Sequence, residues 1–129
     1  MITARLNTYR QSPRKVRLVS NLVKGKSVSD AIRLLSVTTK AAAEPLVKLI
    51  QSAVQNARVN FKVDEKTLFI KDFRVDAGVT MKRSMPRARG SAFPILKRTC
   101  HVHLVLYERE SEVKGQKSKV KTTGQKLKA

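Results

Sequence analysis

Acidic residues are scarce in this chain, and several other features are absent. Asp and Glu total nine of the 129 residues against 28 Lys and Arg, a formal net charge of +19. The single cysteine, Cys100, excludes an internal disulfide and fits a reducing compartment. The sequence contains no run of about eighteen apolar residues, so no membrane-spanning helix is predicted. The sequence has neither a lipidation signal nor a basic helix with bulky apolar anchors, the features that would indicate binding to a membrane surface.

Catalytic motifs are also missing. The sequence has no G-x-S-x-G, no phosphate-binding G-x-x-x-x-G-K-S/T and no H-E-x-x-H. His101 and His103 share one face of a predicted strand and could form half a metal site, but Cys100 points to the other face. Two histidines that are hydrogen-bonded or face RNA are favoured over a metal site. We therefore predict no enzyme, no cofactor and no metal.

Two acids lie near the most basic part of the sequence. Asp72 and Asp76 share a face of a predicted strand and are the only closely spaced acids near the basic segment, so a catalytic role for them is weighed against simple charge neutralisation. Neutralisation of Arg74 or Lys71 and their neighbours is favoured.

Basic residues are concentrated between Ala77 and Tyr107, a segment without any acidic residue. A solvated surface usually mixes both signs, since unpaired cations repel one another. A polyanion that releases counterions on binding would offset this repulsion, so nucleic acid is the predicted partner and a merely flexible, solvated loop is disfavoured. The predicted RNA-binding residues of this segment are Lys82, Arg83, Arg87, Arg89, Lys97 and Arg98.

The first fifth of the sequence predicts a strand and a helix. Residues Ile2 to Tyr9 alternate, with Ile2, Ala4 and Leu6 on one face and Thr3, Arg5, Asn7 and Tyr9 on the other. Ser12 as N-cap and Pro13 as first residue predict a helix to Lys24 that stops at Gly25. Its predicted apolar face comprises Val16, Leu18, Val19, Leu22 and Val23, and its polar face Arg14, Arg17, Asn21 and Lys24.

This helix is the second predicted RNA-binding element. A solvated basic surface is the alternative, but the acids that usually pair with such a surface at i+4 are largely missing from the neighbouring sequence. Phosphate contact is therefore favoured. The predicted contact residues are Arg14, Lys15, Arg17 and Lys24.

Two further helices and two strands follow. Ser27 with Asp30 resembles a capping box before a short helix, and a longer helix is predicted over 40–60, with an apolar stripe ending at Phe61. Pro45 either kinks that helix or marks the start of its regular part. Strands are predicted over 68–76 and 98–107, the second with Cys100, Val102, Leu104 and Leu106 on one face.

The segment between these two strands is long enough to protrude. If the strands pair, each arm from Asp76 to the turn near Pro86 spans about 33 Å at strand rise. That length exceeds the radius of gyration of about 13 Å expected for a domain of this size. We predict one domain over 1–112, with an extended hairpin loop at about 77–98, and a disordered Lys-rich tail over 113–129.

Several segments in this order resemble one ribosomal protein family. They are Ser12-Pro13-Arg14-Lys15-Val16-Arg17-Leu18-Val19, Ser52-Ala53-Val54-Gln55-Asn56-Ala57, the run from Met81 to Gly90, and Ile95-Leu96-Lys97-Arg98-Thr99. The chain is similar over about residues 3–110 to the family of the large-subunit ribosomal protein numbered twenty-two in the bacterial series. The basic segment is the most specific part of the resemblance.

The resemblance implies an α+β fold of three helices on a three-stranded antiparallel sheet, with a long protruding β-hairpin. It implies binding to large-subunit ribosomal RNA of the 23S type, neighbouring ribosomal proteins, a role in assembly, and a cytoplasmic ribosome, with an organellar one left open. It also implies that the hairpin lines the nascent-peptide exit tunnel near the macrolide site. The implied tunnel-lining residues are Met81, Lys82, Arg83, Arg87, Ala88, Arg89 and Gly90.

Two other functions stay open from sequence alone. A free-standing RNA- or DNA-binding regulator would show the same charge. A nuclease or RNA-modifying enzyme is disfavoured, because it needs an acid or metal cluster that the sequence does not offer.

Overall fold

The fold follows from a computed structural model, which describes residues 1–109. The elements in chain order are β1 (Ile2–Tyr9), α1 (Pro13–Val23), α2 (Val28–Val37), α3 (Ala43–Asn56), β2 (Leu68–Pro86) and β3 (Ala92–Glu108). The three strands form one antiparallel sheet in the order β1, β3, β2. The predicted α+β fold of three helices and a three-stranded antiparallel sheet is confirmed.

One face of the sheet packs on the helices and encloses the core. On β3, Cys100, Val102, Leu104 and Leu106 are buried, as the alternation predicts. The helices contribute an apolar set that includes Val16, Val19, Val23, Val28, Ala31, Leu35, Leu46, Ile50 and Ala53. Burial raises the pKa of the Cys100 thiol. The opposite face of the sheet has no helix of the described chain packed on it.

A β-bulge near the end of β1 corrects the predicted position of Tyr9. Leu6 pairs with Val102 but Tyr9 pairs with Cys100, so β1 has one extra residue in this interval. Thr8 adopts a left-handed backbone conformation, with φ of 51°. The extra residue reverses the alternation, and Tyr9 packs partly buried against the core instead of lying on the polar face.

The apolar face of α1 is narrower than predicted. Its buried residues are Val16, Val19, Ser20 and Val23, while Leu18 and Leu22 are 69% and 48% exposed. The buried positions follow the i, i+3, i+4, i+7 spacing, which places Leu18 and Leu22 on the far side of the helix. Ser20 is tolerated in the core because its hydroxyl donates to the Arg17 carbonyl at 3.1 Å.

The boundaries of α1 agree with the prediction, but its cap is simpler. Ser12 occupies the N-cap position without a side-chain capping bond, and its carbonyl accepts from the Lys15 and Val16 amides at 3.1 and 3.3 Å. Gly25 follows the helix with φ of 78°, a conformation that glycine adopts without steric cost. The Gly25 amide also donates to the Ile70 carbonyl at 3.1 Å, which ties the end of α1 to β2.

The cap of α2 is as predicted, whereas the end of α3 is not. Ser27 Oγ accepts from the Asp30 amide at 3.2 Å and donates to its carboxylate at 2.6 Å. The regular part of α3 begins at Ala43, so Pro45 lies in its first turn without a kink. A π-helical turn follows at Ala57–Phe61. Its wider turn breaks the 3.6-residue period, and Phe61 is exposed rather than part of the apolar stripe.

Strands β2 and β3 continue well beyond the sheet core as a two-stranded ribbon. Their pairing extends to Pro86 opposite Ala92, so the segment predicted as a loop consists of regular strands and a short turn. Bulges interrupt the register between Ile70 and Asp72 and between Ala77 and Thr80. We call the ribbon from Val79 to Arg98 the hairpin.

No helix among residues 1–109 is long and apolar enough to cross a membrane. The predicted domain end at residue 112 and the predicted tail over 113–129 lie outside the described residues.

Candidate nucleic-acid interface

The arms of the hairpin carry cations on both faces. Residues that pair across an antiparallel ribbon lie on the same face, and successive residues alternate. Lys82 lies opposite Leu96 and Arg98 opposite Thr80, which places both cations on one face. Arg83 lies opposite Ile95 and Lys97 opposite Met81, on the other face. The ribbon therefore presents positive charge in two opposite directions.

The turn at the tip of the hairpin brings two more arginines to its end. The turn is closed by the Arg87 amide, which donates to the Ser91 carbonyl at 2.8 Å. The Arg87 guanidinium lies 5.8 Å from the centre of the Phe93 ring. Arg89 adopts a left-handed conformation with φ of 59° and is exposed, as are its neighbours Ala88 and Gly90. The tip thus combines two guanidinium groups that have no acidic partner among residues 1–109 with backbone that a ligand can approach closely.

The charge of the hairpin is not compensated locally. All six predicted cations of this segment, Lys82, Arg83, Arg87, Arg89, Lys97 and Arg98, are exposed. None of them pairs with an acid of residues 1–109. Large apolar side chains are exposed beside them, among them Met85, Phe93, Ile95 and Leu96. A basic surface with interspersed apolar and aromatic groups is suited to RNA, whose phosphates and bases it can contact together.

A tightly packed joint connects the hairpin to the sheet. The bulge between Ala77 and Thr80 contains Gly78 and Val79, and the Thr99 hydroxyl donates to the Val79 carbonyl at 2.7 Å. Thr99 is 6% exposed. A Cβ atom on Gly78 would lie 2.5 Å from Thr99 Oγ1 and 3.1 Å from His101 Nε2. A side chain here would force Thr99 to move, so glycine is favoured for close approach rather than for an unusual φ.

The four predicted cations of α1 differ in their availability. Arg14 and Lys15 are exposed and have no ion pair within residues 1–109. Arg17 Nε donates to the Val75 carbonyl at 2.9 Å, so this side chain also joins α1 to β2. Lys24 Nζ lies 2.7 Å from the Asp72 carboxylate. Of the four, Arg14 and Lys15 are the freest to contact phosphate.

The acids near the hairpin act as charge partners, but one partner was not predicted. Arg74 Nε lies 3.1 Å from Asp76 Oδ2, as expected. Asp72 pairs with Lys24 of α1 instead of with a neighbour on its own strand, and the hydrogen bond from Lys24 lowers the pKa of Asp72. The bulge after Ile70 and the packing of α1 on β2 bring these groups together, which sequence spacing does not reveal.

The two histidines have different surroundings on the open face of the sheet. His101 Nδ1 accepts a hydrogen bond from the Thr8 amide at 3.0 Å. His103 Nε2 lies 3.8 Å from Asp76 Oδ2. Within residues 1–109, no group of three or more potential metal ligands is found.

Substitutions of Arg14 and Arg17 are expected to have different effects, one on RNA binding and the other on protein stability. Replacing Arg17 with glutamine should lower the free energy of unfolding by about 1–2 kcal/mol, because its hydrogen bond to the Val75 carbonyl is lost. Replacing Arg14 with glutamine should leave stability unchanged within about 0.5 kcal/mol and weaken RNA binding. Urea unfolding and filter binding measure the two effects. Equal stability of both variants would contradict a structural role for Arg17.

Sequence reasoning did not predict Arg5 and Arg74, which lie on the open face of the sheet, as RNA-binding residues. The alternation of β1 places Arg5 on its polar side, but only the strand register shows what lies beside it. That register is not encoded in any local pattern.

An extended hairpin with uncompensated positive charge, carried by a small α+β domain that has a second basic patch on α1, defines an RNA-binding protein. Comparison with known proteins gives the family. The family described as "Ribosomal protein L22p/L17e" matches residues 4–107, and the chain belongs to it.

Curated relatives from several bacteria share about half of their residues with this chain. The "Large ribosomal subunit protein uL22" of Myxococcus xanthus is 51% identical over 108 residues, which cover 82% of this chain and 95% of the relative. The protein of the same name from Desulfitobacterium hafniense strain Y51 is 50% identical over 101 residues, 78% of this chain and 89% of the relative. That from Deinococcus radiodurans is 50% identical over 100 residues, 78% and 75% of the two chains.

The predicted family and the predicted function as a structural protein of the large ribosomal subunit are confirmed. The alternative of a free-standing regulator has no support from these similarities. The residue-level predictions for RNA binding stay predictions.

Proposed function

We propose that this chain binds large-subunit ribosomal RNA through its basic surfaces and that its hairpin passes between RNA segments to line the nascent-peptide exit tunnel. The observation that carries this proposal is the distribution of cations on both faces of the hairpin. A ribbon lying on the surface of an RNA would need cations on one face only. Lys82 and Arg98 on one side and Arg83 and Lys97 on the other fit an environment with phosphate on both sides.

The globular body is the anchor in this proposal. Arg14 and Lys15 on α1 contact phosphates, and Arg17 and Lys24 contribute charge while they hold α1 against β2. Anchoring and lining are then separate roles, since seven paired residues of each strand, 80–86 and 92–98, separate the sheet core from the turn over roughly 23 Å.

The proposed tunnel-lining region is part of the β2 arm of the hairpin together with its turn. It comprises Met81, Lys82, Arg83, Arg87, Ala88, Arg89 and Gly90. The left-handed Arg89 and the small residues beside it keep the end of the ribbon narrow, so that a growing peptide could pass it. Neighbouring ribosomal proteins and the nascent peptide are the proposed protein partners. A non-enzymatic role without cofactor, in a cytoplasmic ribosome, completes the proposal.

Sedimentation together with the salt dependence of RNA binding tests this function. The protein should migrate stoichiometrically with large subunits after a high-salt wash. The isolated protein should bind large-subunit RNA with a steep salt dependence, because six to ten phosphate contacts at about 0.7 each give a slope of about 4 to 7 on single-stranded RNA.

Two results would contradict the proposal. One is removal of the protein from subunits by the high-salt wash. The other is a slope of about one, which would indicate that a single phosphate is neutralised.

A further inference from the structure

The open face of the sheet carries a row of nitrogen-bearing side chains that crosses all three strands. Arg5 of β1 lies opposite His103 of β3, and Arg74 of β2 lies opposite His103 from the other side. The three residues therefore occupy one line perpendicular to the strands, which we call the cross-strand row. Adjacent strands lie about 4.8 Å apart, so the row spans about 10 Å between its outer backbones.

A shallow groove of about 150 Å³ lies over the cross-strand row. All three members of the row line it, together with Thr3, Asp72 and Val105. Asp72 is already neutralised by Lys24 at 2.7 Å. The groove is therefore lined by two arginines, with its nearest acid already paired, and this charge favours an anion.

The charges of the row are only partly satisfied within the protein. Asp76 binds Arg74 at 3.1 Å and lies 3.8 Å from His103. Arg5 is exposed and has no acidic partner among residues 1–109. The Asp76 carboxylate thus compensates Arg74 and leaves the charge of Arg5 without a partner in the row. A single added anion would balance the row.

Aromatic side chains on the same face favour nucleic acid as the source of that anion. Tyr107 lies four residues after His103 on β3 and therefore on the same face of the sheet. The centre of its ring is 5.9 Å from that of Phe69 on β2. The Arg109 guanidinium lies 5.7 Å from the Phe69 ring centre. A sheet surface that combines half-buried aromatic rings with cations can stack bases and bind the linking phosphates, whereas an acidic peptide would need the cations alone.

We propose that the cross-strand row binds a backbone phosphate of large-subunit RNA, which makes the open face of the sheet an RNA-binding surface separate from α1 and the hairpin. Asp76 competes with this phosphate for Arg74 and His103. The proposal rests on the proposed function, since it assumes that ribosomal RNA surrounds the protein.

Two substitutions with opposite expected signs test the row in the full-length protein. Arg5→Gln should lower the affinity for large-subunit RNA about tenfold, the lower range for a charge-assisted hydrogen bond, and should reduce the salt slope by about 0.7. Asp76→Asn keeps the shape of the side chain and removes the competing charge. It should raise the affinity by a factor of about two to five.

Arg33→Gln is the matched control, because Arg33 is an exposed arginine of α2, on the helix side of the sheet, and 3.9 Å from its nearest acid. The change in its affinity for large-subunit RNA shows the general effect of losing one positive charge. We expect that change to be within about twofold. Circular dichroism confirms that each variant is folded.

Other results overturn the proposal. If wild-type protein binds RNA and Arg5→Gln behaves like Arg33→Gln, the row is not an RNA contact, while the proposed function stands. If RNA affinity is unchanged but incorporation of Arg5→Gln into subunits falls, the row binds a neighbouring protein. If wild-type protein does not bind large-subunit RNA at all, the proposed function itself is wrong.

Discussion

Replacing Gly78 with alanine is expected to destabilise the protein by about 1–3 kcal/mol, the usual effect of adding a methyl group to a tightly packed site. The new Cβ would lie 2.5 Å from Thr99 Oγ1, a separation at which atoms must move. Thr99 is buried and held by its bond to the Val79 carbonyl, so it cannot turn away without losing that bond. The midpoint of urea unfolding, at unchanged slope, measures the effect.

A double-mutant cycle shows whether Thr99 is the cause. Removing the hydroxyl in Thr99→Ala should make the added methyl group at Gly78 less costly, so that the double variant is more stable than the sum of the single effects predicts. Val79→Ala, at an exposed side chain of the same bulge, is the control and should change stability by about 0.5 kcal/mol or less. Additive effects at Gly78 and Thr99 would contradict the steric explanation.

If the hairpin lines the exit tunnel as proposed, shortening it symmetrically should change the tunnel wall without preventing assembly. Deleting Lys82 and Arg83 from one arm together with Ile95 and Leu96 from the other removes two facing pairs and about 7 Å of reach. An even number of residues leaves every remaining side chain on its original face. Because the sheet core and α1 are untouched, the shortened protein should enter large subunits normally. Chemical probing should show altered reactivity of tunnel-wall nucleotides.

Two further variants distinguish the effect of hairpin length from the effects of its positive charge and of its strand register. The full-length double substitution Lys82→Gln with Arg83→Gln removes the same two charges and keeps the reach. It should weaken RNA binding with little change at the far end of the hairpin. Deleting Met81, Lys82 and Arg83 from one arm alone reverses the faces beyond the deletion, and should disturb the tip most. Exclusion of the symmetric variant from subunits, with unaltered nucleotide reactivity, would make the hairpin an assembly anchor instead.

Local patterns predicted the elements well, and the errors have identifiable physical causes. The boundaries of α1 follow from Pro13 and Gly25, whose backbone preferences are intrinsic. Tyr9 was placed on the wrong face because a bulge inserts one residue. Phe61 was misplaced because the helix widens to a π-turn. Neither irregularity has a signal in the alternation or helical period, since both depend on tertiary packing.

Some features of the candidate site could likewise be predicted from the sequence, whereas others depend on the tertiary structure. The cations of the hairpin were predicted because an acid-free window is visible in the sequence. Their placement on two faces, the bond from Arg17 to β2 and the pairing of Lys24 with Asp72 depend on register and helix packing. The cross-strand row joins residues 5, 74 and 103, which only the assembled sheet brings together. Sequence therefore indicates the kind of partner, whereas the structure shows where each charge lies and which charges are already paired within the protein.

The order of the strands also determines when the protein can fold. Strand β3 is the last strand in sequence but the middle one in the sheet, and Ile2 pairs with Leu106. During synthesis, β1 and β2 both lack their partner until nearly all described residues have been made. Contacts between such distant residues slow folding. The newly made chain therefore exposes two unpaired strands, of which β2 carries four cations and two acids, and early contact with RNA would protect them before the sheet closes.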